Sequence, residues 1–194
     1  MIIKDPYTGL AARVEEGGKL LTESTTESEF HAISEEGGGY SVGLYQTANA
    51  FVVPPTSGSA LIFLKNTSDS QDIILEKIMV SSNSSQPIRF DVEVGNTIGT
   101  ISNGAAVVPI NNSTQHSNQP PVTCYIWDGV SSMSGINANG DKVYNFYAGP
   151  GLTQCSTESS RFIGPNSSFV INVYGDDVTK ITFFISFYME DISE

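Results

Sequence analysis

Reactive side chains are scarce in this sequence, which holds two histidines, His31 and His116, and two cysteines, Cys124 and Cys155, in 194 residues. A Ser-His-Asp relay needs its histidine held by a rigid scaffold. His31 instead lies among Glu27, Glu29, Glu35 and Glu36, and His116 lies in the polar stretch 111–119, so both read as solvated histidines on an arm or loop. Zinc would call for paired short spacings such as C-x-x-C or H-x-x-x-H, and these four residues have none. Oxygen ligands for calcium could come from Asn137, Asn139 and Asp141 in one turn, or from Asp176 with Asp177 in another. The first set lacks the bidentate acid of an EF-hand and reads as a hairpin turn. A carboxylate pair for glycoside hydrolysis could be drawn from Asp91, Glu93 and Asp128, but Asp91 and Glu93 fall on what alternation makes a wet strand face. Phosphate-binding glycine loops are missing, and Gly149-Pro150-Gly151 reads as a rigid turn. No catalytic residue, metal ligand or cofactor site is assigned, and the chain is expected not to be an enzyme. The remaining hint is aromatic: Tyr125 and Trp127, followed by Asp128-Gly129, suit ligand stacking on a sugar, a protein contact, or packing at a sheet edge.

Nine basic residues against 21 acidic ones give a net charge of −12, and no cluster of Lys or Arg occurs. Nucleic acid and anionic membrane are therefore disfavoured as partners, since both require a cationic surface. The opening Met1-Ile2-Ile3-Lys4-Asp5-Pro6 does not read as a signal peptide, and no run approaches the ~20 apolar residues of a membrane span. The expectation is a soluble chain made in a cytoplasm. Cys124 and Cys155 are then either a reduced buried pair or a disulfide formed late in an oxidising medium. Five N-x-[ST] sequons, at Asn66, Asn83, Asn111, Asn112 and Asn166, read as Asn/Ser-rich loops.

Positioning falls to strands. Val, Ile, Phe and Tyr dominate the apolar set, with abundant Gly, Ser, Thr and Asn for turns. Residues 1–39 differ in texture: short apolar fragments surround Glu15-Glu16-Gly17-Gly18, an acidic run follows, and Gly37-Gly38-Gly39 ends the segment. This is expected to be an extended N-terminal arm with a flexible joint. Within it, Thr26 with Glu29 fits a capping box and Gly37 a helix C-cap, although a short strand fits as well. Residues 40–194 form the main domain, with strands expected at 40–44, 60–64, 72–80, 88–94, 142–148, 168–174 and 180–189. Asn139-Gly140 suits a type I′ hairpin. The expected fold is all-β, a β-sandwich of jelly-roll or Greek-key type.

The last two strands carry an apolar outer face. Alternation turns Ile181, Phe183, Ile185, Phe187 and Met189 inward, as it does Phe169, Ile171 and Val173. It leaves Val170, Tyr174, Phe184 and Tyr188 outward, and these would form one patch if the strands lie close together. Burying each is worth roughly 1.5–3 kcal/mol, so an exposed patch would drive association. Either a partner subunit covers it, or the arm or the long loop folds over it within one subunit.

The opening Ile3-Lys4-Asp5-Pro6-Tyr7-Thr8-Gly9-Leu10-Ala11-Ala12-Arg13-Val14, then Lys19-Leu20 and the stretch 25–32, resembles the N-terminal segment of small virion structural proteins of tailed bacteriophages. Leu61-Ile62-Phe63-Leu64-Lys65-Asn66 and the block from Gly99-Thr100 to Val108-Pro109-Ile110-Asn111 are similar to the same group. The resemblance implies a jelly-roll-like capsid cement or decoration protein, or a head-fibre or tail-associated piece. It also implies a homotrimer on the capsid surface of the virion, made in the host cytoplasm, that clamps the major capsid protein or another virion protein. Arm contacts would come from Tyr7, Leu10, Val14, Leu20, Leu21 and Phe30. The other reading is a receptor- or carbohydrate-binding module of a head fibre or tail, using Tyr125 and Trp127.

Overall fold

β-Branched and aromatic side chains at period two become strands over most of the described residues. The computed structural model describes residues 2–4, 11–14, 20–21, 37–49, 51–53, 59–95, 104–113, 115–129, 133, 141–174 and 180–192; at 2–4, 11–14, 20–21, 142, 144 and 154–162 it describes the backbone alone. Among the described residues fourteen strands follow in order: β1 (Ile2–Lys4), β2 (Ala11–Val14), β3 (Leu20–Leu21), β4 (Gly39–Gly43), β5 (Ser59–Asn66), β6 (Gln71–Ser82), β7 (Ile88–Gly95), β8 (Ala105–Val107), β9 (Ile110–Asn111), β10 (Val122–Ile126), β11 (Asp141–Ala148), β12 (Gly151–Ile163), β13 (Ser168–Tyr174) and β14 (Ile181–Asp191). The only helical element among the described residues is a 3₁₀ turn, Leu44–Gln46.

Two antiparallel sheets pack face to face as a β-sandwich. One has the order β12-β6-β14-β4-β9 and the other β11-β7-β13-β5-β10-β8. Strands β4 to β7, and again β11 to β14, step from one sheet to the other at every connection. Consequently β14, which follows β13 in sequence, lies in the opposite sheet. Between the sheets sits the core, to which Phe90, Phe169, Ile171, Val173, Ile181, Phe183, Ile185, Phe187 and Met189 contribute, so the inward sides of β13 and β14 are those alternation assigns.

Two bulges explain apolar runs that simple alternation cannot. The β6 register jumps past Glu76, with Ser186 opposite Lys77 and Phe187 opposite Leu75. That extra residue lets Ile73 and Leu75 face inward on one side of it and Ile78 and Val80 on the other. In β5 the register slips past Leu61, so Leu61, Ile62 and Leu64 reach the core while Ala60 and Phe63 face outward.

The arm forms a small antiparallel sheet, β1-β2-β3, over its described residues. Val14, Leu20 and Leu21 lie in its strands, while Tyr7, Leu10, Phe30 and the helix considered from Thr26 to Gly37 fall outside the described residues or, for Gly37, at their edge. The triple glycine is not a loose joint. The Gly37 carbonyl accepts from Asn111 Nδ2 at 2.8 Å, that of Gly38 from the Met189 amide at 3.3 Å and that of Gly39 from the Asn112 amide at 2.9 Å. Gly37 has φ +87°, and a Cβ there would lie 2.6 Å from Cγ of His116. The His116 ring therefore occupies space that only glycine leaves open.

Candidate functional site

Strand pairing lays out the outer face of the five-stranded sheet in rows. Leu152, Ser81 and Thr182 align; next come Met79, Phe184 and Gly43; then Lys77, Ser186, Ser41 and Ile110; then Ile74, Tyr188 and Gly39. Cross-strand partners share a face, so an apolar band runs through Leu152, Met79 and Phe184 toward Ile110. Tyr45, from the 3₁₀ turn, closes it: Met79, Ser81, Leu152, Thr182, Phe183, Phe184 and Tyr45 line a depression of about 150 Å³. Gly43 makes room for the phenylalanine beside it, since a Cβ there would fall 2.6 Å from Cβ of Phe184. Leu152 is 64% exposed and Tyr45 52%. Single exposed apolar residues are ordinary; here Leu152 and Tyr45 border one contiguous depression.

The Tyr45 ring is held in place. Ser41 Oγ donates its one proton to Asn112 Oδ1 at 2.8 Å, which leaves the Tyr45 hydroxyl to donate to Ser41 Oγ at 3.0 Å. Burial pushes the Tyr45 phenol up from its ordinary value, so the proton it donates stays on at neutral pH.

No family model, curated protein or solved structure matches this chain.

The four residues expected to form one patch are divided between the sheets. Val170 and Tyr174 lie on β13 in the six-stranded sheet, Phe184 and Tyr188 on β14 in the five-stranded one. Val170 is fully buried in an outer cluster with Ala60 and Phe63, against which Tyr125 and Met133 pack. Met133 lies between β10 and β11 in the sequence, so Val170 is covered by residues of its own chain. Tyr188 is also buried, at 1% exposure. Phe184 in the groove and Tyr174, both half-buried, are what remains of the patch, on opposite sides of the molecule.

Trp127 is no ligand platform. Strand β10 ends at Ile126, and the indole turns into the core at 9% exposure, with Nε1–H donating to the Val53 carbonyl at 2.8 Å. Tyr125 belongs to the outer cluster instead, so the two rings do not meet on one face.

Asp91 and Glu93 are not on a wet face either, being 0% and 6% exposed. Asp91 takes a bidentate fork from Arg89, with Nε to Oδ1 at 2.9 Å and Nη2 to Oδ2 at 2.6 Å. That hydrogen-bonded carboxylate raises the Arg89 pKa further and removes Asp91 from any hydrolytic pair. Asn137, Asn139, Gly140, Asp176, Asp177 and His31 lie outside the described residues, and His116 is exposed. Among the described residues no three His, Cys, Asp or Glu side chains gather as a metal site.

Cys124 is a free, buried thiol whose pKa burial drives far up. Iodoacetamide at pH 8 should leave it unmodified in the folded chain and alkylate it in denaturant. Peptide mass spectrometry checks this, and labelling of native Cys124 at the rate of a free thiol would contradict the burial.

Proposed function

We propose that this chain is a structural virion protein of a tailed-phage particle, a homotrimeric cement or decoration protein that binds and stabilises the shell of the major capsid protein. The observation that carries this reading is the apolar groove around Phe184, Met79, Leu152 and Tyr45 on the outer face of the five-stranded sheet. The N-terminal motifs that resemble virion structural proteins support it. So does the strand order, since neighbours β4-β14-β6-β12 in one sheet and β5-β13-β7-β11 in the other fit the interleaving of a jelly roll. Fold alone assigns no function, so the weight rests on the surface. No helix among the described residues is long and apolar enough to cross a membrane.

Light scattering of the full chain should give a trimer, and the chain should co-sediment with shells of the major capsid protein. Leu152→Asp and Phe184→Asp place a charge in the groove and should weaken shell binding at least 10-fold, equivalent to about 1.4 kcal/mol, while Leu152→Asp shifts stability by no more than about 0.5 kcal/mol. A monomer whose shell binding ignores both changes would defeat the reading.

A further inference from the structure

Three adjacent strands of the six-stranded sheet set six side chains in two straight rows on its outer face. Pairing aligns Tyr147 with Arg89 and Arg89 with Tyr174; the next row aligns Asn145 with Asp91 and Asp91 with Asn172. At about 4.8 Å between strands, the two tyrosines of the first row stand about 10 Å apart with the arginine between them. The guanidinium is fixed on two sides. Asp91, fully buried, grips its Nε and Nη2, and its carbon lies 4.3 Å from the centre of the Tyr174 ring. Its remaining N–H groups point away from the carboxylate. On the other side Tyr147 is 59% exposed and Asn145 is exposed too.

We propose that this face is a platform for a neutral glycan. A pyranose has an apolar face of C–H groups and a rim of hydroxyls. The exposed Tyr147 ring suits the first, while the held guanidinium and the Asn145 amide supply donors and an acceptor for the second. Charge complementarity selects a neutral sugar over an acidic one. The Arg89 charge is already balanced by Asp91, and a chain of net charge −12 repels polyanions. Because the arginine is ordered before any ligand arrives, little side-chain entropy is lost on binding. The platform lies on the sheet opposite the apolar groove, so it goes beyond the particle-contact reading and does not depend on it. A subunit seated by its five-stranded sheet would turn this face outward.

The test probes the full chain against immobilised neutral oligosaccharides of hexose and N-acetylhexosamine, with sialylated and sulfated glycans as the acidic arm. Titration calorimetry follows on whatever binds. Neutral glycans should bind; Tyr147→Ala should weaken them at least 10-fold and Tyr147→Phe no more than about 3-fold, both with unchanged melting temperature. Arg89→Lys, which keeps the charge and loses the planar fork, should also weaken binding. The proposal is overturned if no neutral glycan binds at concentrations on the order of 10 mM, if binding ignores Tyr147→Ala, or if only acidic glycans bind.

Discussion

Replacing Trp127 with alanine should cost about 3–5 kcal/mol of folding stability, the range for removing a large aromatic side chain from a packed core. The indole is 9% exposed, packs with the core that joins the two sheets, and ties its N–H to the Val53 carbonyl of the loop before β5. Urea unfolding followed by circular dichroism measures the change. Were the ring instead a ligand-stacking surface, its loss would leave stability within about 0.5 kcal/mol of the parent. Trp127→Phe should recover much of the packing but not the bond to Val53, leaving a deficit of roughly 1 kcal/mol. Because Trp127 is the one tryptophan of the chain, its own fluorescence should report unfolding of the unaltered protein.

Asn66→Ala should remove about 2–4 kcal/mol, a large effect for a polar residue in a sequence rich in surface asparagines. Asn66 is fully buried. Its Nδ2 donates to the Gln71 carbonyl at 2.7 Å and the Ile163 carbonyl at 3.0 Å, and its Oδ1 accepts from the Ser68 amide at 2.9 Å. One amide therefore closes the β5–β6 turn and fastens it to the end of β12, and alanine would leave three backbone groups to find other partners. Asn118→Ala is the control, since that side chain is exposed and its replacement should stay within about 0.5 kcal/mol. Equal melting temperatures for the two variants would contradict the role given to Asn66.

Much of this architecture is readable from residue order. Strict alternation in Ile88, Phe90 and Val92 gives β7 and its inward side, and the same holds for β14 from Ile181 to Met189. Other parts are silent in the sequence. The sequon at Asn66 looks like any Asn/Ser-rich loop, because nothing local distinguishes an asparagine whose partners include a residue 97 positions away. Arg89 and Asp91 look like wet-face charges, yet as a pair they are drawn into the surface with Tyr174. The groove was half visible, through Phe184; Leu152, Met79 and Tyr45 join it only because β12, β6 and the 3₁₀ turn converge on β14.

By itself the sequence determined that this chain is built of strands, which side of most of them faces the core, and that its net charge is −12. Alternation carries that information because a side chain's up or down sense depends only on its position along its own strand. Which strands become neighbours was decided in three dimensions, by pairing between segments far apart in the chain. Placing β13 and β14 in opposite sheets split Val170 and Tyr174 from Phe184 and Tyr188, and Tyr125 and Met133 pack over the cluster that holds Val170. A period of two records the side of a sheet but not which sheet, so the groove and the tyrosine-arginine rows exist only once the sandwich has closed.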